Sequence, residues 1–231
     1  MTAIPLQQDV EYPYSDGQPM AESDLHRDEM VDLIKALQRR YQDQSDVYVA
    51  GNLFLYYRRG DPRSVVAPDV FLVQGVPNHQ RKTYKLWEES RVPSLVIEVT
   101  SDTTRDEDLD RKKNTYEHLG VEEYFLHDPE GDYLKPRLQG HRLTNGRYRT
   151  ICPNPDGSLE SRATGLTLQI EGKNLRLIDT VTGERLPWVD ELGDQFRELE
   201  SRLAEETAAR KALEEELARL RSSMRLGGNG G

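Results

Sequence analysis

Apolar and polar positions along the chain predict helices and strands in mixed order. Behind Ser23, which can cap a helix, apolar residues recur at helical spacing. A second helix-like segment, 103–119, follows directly on a short apolar run and is ended by Gly120. Strands are predicted at 47–50, 53–58, 65–73, 94–100, 121–127 and 166–170, with a tight hairpin at Asn145-Gly146. This order of elements indicates an α/β or α+β sheet with helices packed on it.

The last part of the chain has a different pattern. From Leu192 onward the sequence favours helix throughout, and its apolar residues fall on alternating four- and three-residue steps. This spacing is typical of a coiled coil, although Glu206 and Arg210 occupy the same seam. A lone helix of this kind has no core, so we expect a homo-oligomer or docking onto a partner. The seam residues are Leu192, Phe196, Leu199, Leu203, Leu213, Leu217, Leu220 and Met224.

Composition limits the class of protein. The chain has 231 residues, of which 35% are hydrophobic and 31% charged, enough for one domain and an extension. No apolar run has the length of a membrane span, and the first residues lack the features of a signal peptide. The single cysteine, Cys152, excludes an intramolecular disulfide and a cysteine-based zinc cluster. We therefore expect a cytoplasmic protein without a membrane partner.

The net charge of −10 argues against a nucleic-acid ligand, but the charge is uneven. Most of the acidic excess lies before residue 46 and after residue 189, and 133–155 contains bases and no acid. Basic side chains could contact phosphates, although a solvated surface explains any single cluster equally well. The candidate phosphate contacts are Arg58, Arg59, Lys113, Arg142 and Arg147.

Two of the β-rich runs carry one acid each, Asp69 and Glu98. An acid inside an apolar strand is costly unless its charge is compensated. Two such acids placed side by side favour a divalent metal, because hard oxygen ligands suit Mg²⁺. Every other residue of 95–99 is apolar, which is typical of a central strand buried on both faces. Alternatively, Asp69 is a turn or bulge residue after Pro68 and Glu98 faces solvent from an alternating strand.

A lysine on the following helix completes the candidate site. Leu109, Tyr116 and Leu119 define one apolar stripe at about 100° per residue. Lys112 projects inside that stripe, whereas Lys113 lies at or beyond its edge. Because the stripe should pack on the sheet, Lys112 is expected to point toward the two acids, where it can stabilise a pentavalent phosphate or activate water. The alternative is a lysine that only snorkels from a half-buried helix.

These residues resemble the Uma-type family of restriction-endonuclease-like proteins within the PD-(D/E)XK nuclease superfamily. The superfamily usually places its lysine two residues after the acid, a position held here by Thr100. This chain resembles the narrower family in supplying Lys112 from the next helix. The residues that carry the resemblance are Pro68, Asp69, Val70, Pro93, Leu95, Val96, Glu98, Val99, Ser101, Thr104, Asp108, Leu109, Lys112, Tyr116, Gly120, Val121, Glu123, Tyr124 and Asp128.

The resemblance implies an α/β, restriction-endonuclease-like fold, with a central mixed sheet flanked by helices and followed by the coiled-coil helix. It implies a Mg²⁺-dependent endonuclease, with Mn²⁺ as a substitute metal and DNA as the expected partner. Asp69 and Glu98 would bind the metal and Lys112 would act at phosphorus. Additional contacts to the site are expected from His26, Glu29 and Asp108. The alternative is an inactive nuclease fold that serves as a binding module and assembles through its coiled coil.

Four segments are expected along the chain. A polar leader, 1–19, precedes a nuclease-like domain, 20–189. The coiled-coil helix, 190–226, is followed by a disordered glycine-rich tail, 227–231.

Overall fold

The computed structural model describes residues 10–15, 17, 23–101 and 104–227, without the side chains of 220 and 222–227. The described residues up to Leu186 form one compact unit, and those from Pro187 form a second. Most of the polar leader therefore lies outside the described residues. So does the glycine-rich tail, except Gly227, with which the last helix ends.

The first helix, α1 (Asp24–Arg40), begins where the sequence predicts it. The Ser23 side chain caps it by accepting a hydrogen bond from His26 N at 3.2 Å. Its apolar side chains Met30, Leu33 and Leu37 are buried against one face of the main sheet. The capped end thereby brings the first turn of α1 to the sheet beside Asp69.

A six-stranded mixed sheet forms the centre of the first unit. Its strands are β1 (Val47–Ala50), β4 (Val70–Gln74), β6 (Leu95–Val99), β7 (Glu123–His127), β8 (Leu138–Thr144) and β9 (Arg147–Thr150). They are arranged in the order β1-β4-β6-β7-β8-β9, and only the β6–β7 pair is parallel. All five residues of β6 are buried, as its apolar sequence predicts.

Two short sheets lie beside the main one. The first contains β2 (Leu55–Tyr56), β3 (Val65–Val66) and β5 (Tyr84–Lys85), which leads into the single-turn helix α2 (Leu86–Glu89). The second contains β10 (Leu159–Ser161), β11 (Leu166–Glu171) and β12 (Asn174–Asp179). Of these elements the sequence pattern predicts β2, β3 and β11.

One predicted strand is divided in the structure. The run 65–73 forms β3 and β4, which are separated by the irregular residues 67–69. Pro68 has no N–H to give to a sheet, and its carbonyl accepts a hydrogen bond from Asn52 N at 2.8 Å. Asp69 therefore precedes β4 and does not lie inside a strand. This agrees with the alternative in which Asp69 is a turn residue after Pro68.

The helix that connects β6 to β7 is not α-helical throughout. Its first part, Glu107–Lys112, is a π-helical segment, and only α3 (Lys113–Leu119) is α-helical. The prediction of regular 100° steps was therefore wrong for this part, because i→i+5 bonding adds residues to each turn. Gly120 ends the helix with a left-handed conformation at φ 87°, as predicted.

The second unit contains the long C-terminal helix α4 (Val189–Gly227), which begins one residue before the predicted segment. Its apolar seam residues from Phe196 to Leu217 are exposed. Among the described residues, no helix is long and apolar enough to cross a membrane.

Candidate active site

Backbone hydrogen bonds hold Asp69 and Glu98 together. Strands β4 and β6 are antiparallel, with Val70 opposite Ile97, so the residue before β4 reaches the end of β6. Val99 N donates to Asp69 Oδ2 at 2.8 Å, and Asp69 N donates to Glu98 Oε2 at 3.2 Å. The break at Pro68 thus places Asp69 against Glu98.

Lys112 contacts Glu98 from the π-helical segment Glu107–Lys112. Its Nζ donates to Glu98 Oε2 at 2.9 Å and lies 2.9 Å from Asp108 Oδ1. All three side chains are buried, with Glu98 and Asp108 0% exposed. The structure therefore brings Asp69, Glu98, Lys112 and Asp108 into one cluster.

The π-helical segment determines which side chains face the sheet. Asp108, Lys112 and Tyr116, spaced four residues apart, are all buried, whereas Lys113 is half-buried. The Tyr116 hydroxyl donates to Glu98 Oε1 at 2.7 Å. In the sequence, Tyr116 belongs to the apolar stripe and to the residues that carry the family resemblance, but its contact with Glu98 was not predicted.

The electrostatics of the cluster are dominated by burial. Burial raises the pKa of Glu98 well above its usual value, because Lys112 only partly offsets the loss of water and Asp69 repels the charge. Burial likewise raises the pKa of Asp108. Burial opposes the charge of Lys112, but the three carboxylates outweigh it and raise the pKa of its ammonium. A permanently charged lysine is therefore surrounded by more carboxylates than it can neutralise.

The first helix contributes one of its two candidate residues. His26 Nε2 lies 3.5 Å from Asp69 Oδ2, and the ring is buried. Burial opposes the charge of Asp69, but the His26 contact and the Lys112 charge outweigh it, so the pKa of Asp69 is lowered. Glu29 lies elsewhere: its Oε1 accepts from Leu175 N at 2.6 Å and is 3.6 Å from His127 Nε2.

The candidate phosphate contacts are spread over the surface. Arg142 forms a 2.6 Å ion pair with Glu123 of β7, and Arg147 a 2.9 Å pair with Glu117 of α3, so both have structural partners within the fold. Arg58 and Arg59 are exposed on the loop after β2. The structure does not bring these four arginines together.

A cleft of about 810 Å³ opens over the cluster. Asp69 and Lys112 line its inner part, while Arg63 and Arg111 contribute charged side chains that are 93% and 66% exposed. Arg111 was missed by the sequence interpretation, which considered only Lys113 beside Lys112. Pro13, Tyr14 and Ser15 line the cleft from the N-terminal segment.

The donor set is compatible with a hard divalent cation. Glu98 Oε1 accepts a hydrogen bond from the Tyr116 hydroxyl and keeps a second lone pair, and Asp69 lines the cleft. Within the described part of the chain, no group of three His, Cys, Asp or Glu side chains is arranged to hold a metal. Asp69 and Glu98 would therefore supply two ligands, which suits Mg²⁺ because it retains several waters.

A mixed sheet flanked by helices, with a lysine and buried acids beside its central strands, is the restriction-endonuclease-like α/β fold expected from the sequence. Within that class, the chain belongs to the Uma2 family, which is described as "Putative restriction endonuclease" and matches residues 1–171. The resemblance inferred from the sequence is thereby confirmed.

The chain is also similar to a solved structure from Anabaena variabilis ATCC 29413, described as a putative nuclease belonging to DUF820. The two are 14% identical, with a TM-score of 0.46, over 65% of this chain and 81% of that chain. No curated protein matches the chain.

Proposed function

We propose that the protein is a metal-dependent endonuclease that hydrolyses phosphodiester bonds in DNA. The observation that carries this proposal is the convergence of Asp69, Glu98 and Lys112, of which Asp69 and Lys112 line one open cleft. Family membership supports the reaction class, and the oxygen donors support Mg²⁺, with Mn²⁺ as a substitute.

Each side chain has a distinct role in this proposal. Asp69 and Glu98 hold the metal, which when bound supplies Lewis-acid charge at the scissile phosphate. Lys112 donates one hydrogen bond to Glu98 and forms an ion pair with Asp108, and a remaining N–H is directed to a phosphate oxygen or the attacking water. Tyr116 fixes the Glu98 carboxylate through its hydroxyl.

The cleft also supports a polyanionic substrate despite the acidic chain. Arg63 and Arg111 offer exposed guanidinium groups along the same cleft. Their pairs with Asp61 and Glu107 lie at the surface, where ion pairs contribute little and can exchange for phosphate. Substrate affinity should therefore decrease as salt concentration rises.

The test is a cleavage assay on supercoiled plasmid, linear duplex, single-stranded DNA and RNA, each with Mg²⁺ or Mn²⁺. Asp69→Asn, purified in parallel, is the matched control for contaminating nucleases. Metal-dependent cleavage of DNA that disappears in Asp69→Asn supports the proposal. If the wild type binds Mn²⁺ in calorimetry but cleaves no nucleic acid, the inactive binding module is the better description.

A further inference from the structure

Helix α4 presents an exposed apolar stripe along its length. Five seam residues that a globular protein would bury are 51–64% exposed. They are Phe196, Leu199, Leu203, Leu213 and Leu217. An apolar stripe of this length on a helix with alternating four- and three-residue spacing indicates a second helix as its partner.

The charged interruption of the stripe identifies that partner and its direction. Glu206 and Arg210 lie between Leu203 and Leu213, at successive seam positions. In a parallel pair of identical helices each seam residue faces its own copy, so Glu206 would face Glu206 and Arg210 would face Arg210. Both layers would then contain like charges in a partly desolvated seam, which is unfavourable.

We propose that α4 forms an antiparallel two-stranded coiled coil with α4 of a second copy of this chain. Antiparallel pairing centred on residue 208 places Glu206 against Arg210 of the second copy, twice by symmetry. The same register places Leu203 against Leu213 and Leu199 against Leu217. Every described seam position from 199 to 217 thus meets a residue of matching chemistry.

No other antiparallel register has this property. A shift by one heptad would place Arg210 against Leu199 or Leu213 and bury its charge without a partner. The ends of the helix also agree with the centred register, because Val189 falls opposite Gly227 and both helices overlap completely.

The charged residues that flank the seam in this register form one favourable and one unfavourable pair. Arg202 lies beside Glu216 of the second copy, which is favourable, and Glu200 lies beside Glu214, which is not. Within one chain Arg202 already pairs with Glu198 at 2.6 Å. These flanking pairs remain exposed to water and contribute little, so the more enclosed Glu206–Arg210 layers determine the direction.

Charge reversal in the full-length protein tests the pairing. Glu206→Arg should raise the dimer dissociation constant about tenfold or more in sedimentation equilibrium, because each Arg210 would then face an arginine. Adding Arg210→Glu should restore the constant to within about threefold of the wild type, since opposite charges again meet. A parallel dimer predicts no loss from Glu206→Arg, because both layers already contain like charges. That result, or a monomeric wild type, would overturn the proposal.

Disulfide formation gives a second, independent readout of direction. In a Cys152→Ser background, Leu199→Cys alone should form no dimer disulfide under mild oxidation, because the two positions lie 18 residues, or about 27 Å, apart. Leu199→Cys combined with Leu217→Cys should form it readily, because these positions are adjacent across the pair. Crosslinking of the Leu199→Cys variant alone, or of neither variant, would contradict the antiparallel arrangement.

Discussion

At the residue scale, Glu98 explains how a charged group can lie in the middle of the sheet. Its carboxylate accepts from Lys112 Nζ, from Asp69 N and from the Tyr116 hydroxyl. A buried carboxylate without such donors would be neutralised by protonation. The three donors keep the group oriented, and the raised pKa of Glu98 leaves it in need of a further positive charge. The residue is therefore arranged to gain from a bound cation.

The roles of Lys112 and its neighbour Lys113 can be separated by substitution. Lys112→Ala should lower kcat for DNA cleavage by about 100-fold or more, because its buried ammonium forms ion pairs with Glu98 and Asp108 within the cluster. Lys113→Ala should change kcat by less than about threefold, since the charge of this side chain lies near Glu117 and His141, and any effect should be on KM and salt-dependent. Single-turnover kinetics with both variants gives the comparison. Equal losses in kcat would show that Lys112 has no special position.

Glu29 provides a prediction that does not depend on catalysis. Burial raises the pKa of Glu29 from 4.5 to about 8, despite the hydrogen bond from Leu175 N. The native state therefore retains a proton that the unfolded chain releases, and stability is lost as pH rises toward 8. Burial also lowers the pKa of His127 from 6.5 to about 4, so His127 affects stability only below pH 6.5.

Between pH 6.5 and 8, Glu29 should therefore lower the unfolding free energy by about 1 kcal/mol per pH unit, because the full slope of about 1.4 kcal/mol falls to half where the pH reaches the native pKa. Glu29→Gln should remove this slope, because the amide stays neutral at every pH. Guanidinium unfolding of both proteins at the two pH values measures it. Parallel slopes for the wild type and Glu29→Gln would show that Glu29 is not protonated in the native protein.

At the element scale, the sequence predicted the elements whose signals are local. Ser23, Gly120 and the Asn145-Gly146 turn each act within a few residues of their own position, and the structure confirms all three. Asn145 and Gly146 have positive φ values of 52° and 74°, as a two-residue hairpin turn requires. Such residues can be interpreted without knowing what packs against them.

The parts that the sequence did not predict depend on tertiary contacts. Strand β12 is only six residues long, and it pairs along its whole length with β11 and contacts α1 through Leu175. The π-helical segment carries Asp108 and Lys112, which pair with each other, and Lys112 also pairs with Glu98 of the sheet. A regular α-helical phase gave the correct orientation for Lys112 but did not predict that Asp108 would be fully buried. The acids were visible because they interrupt apolar runs, whereas Tyr116 was not.

Gly51 shows how one element positions the site. It follows β1 beside the Pro68 break, and a Cβ at this position would lie 2.0 Å from Asp69 O and 2.5 Å from Ile34 Cδ1. Gly51→Ala must displace the backbone that holds Asp69, so it should lower the unfolding free energy by more than about 2 kcal/mol. Cleavage by the folded fraction should also fall. Thermal unfolding and kcat at a temperature where the variant is folded measure the two effects.

Gly146→Ala is the matched control for this substitution. A side chain at Gly146 would be strained by the backbone, because its φ is 74°, but it would meet no neighbouring atom, because nothing lies within 4 Å of the Cβ position. The cost should be about 1 kcal/mol of backbone strain, without loss of kcat. If Gly51→Ala behaved like Gly146→Ala in both measurements, the close approach to Asp69 would not matter for the site.

At the scale of the whole molecule, the distribution of charge connects stability to metal binding. The chain carries a net charge of −10, and part of this excess is buried, where three carboxylates surround a single lysine. A cation bound to Asp69 and Glu98 would relieve repulsion in the folded state only, because unfolding separates the two acids. Binding to the native state alone raises its stability by mass action.

Millimolar Mn²⁺ should therefore raise the melting temperature of the full-length protein by several degrees, increasing with concentration. The stabilisation follows from RT ln(1 + [Mn²⁺]/Kd), which gives about 2.7 kcal/mol at 100 times Kd. Asp69→Asn and Glu98→Gln should each lose most of the shift, because each removes one of the two carboxylate ligands. Glu29→Gln, which neutralises another buried acid away from the cluster, should keep the full shift and serves as the control. An equal Mn²⁺ shift in all four proteins would place the metal outside the Asp69–Glu98 pair, whereas no shift in the wild type would argue against a metal site in the folded protein.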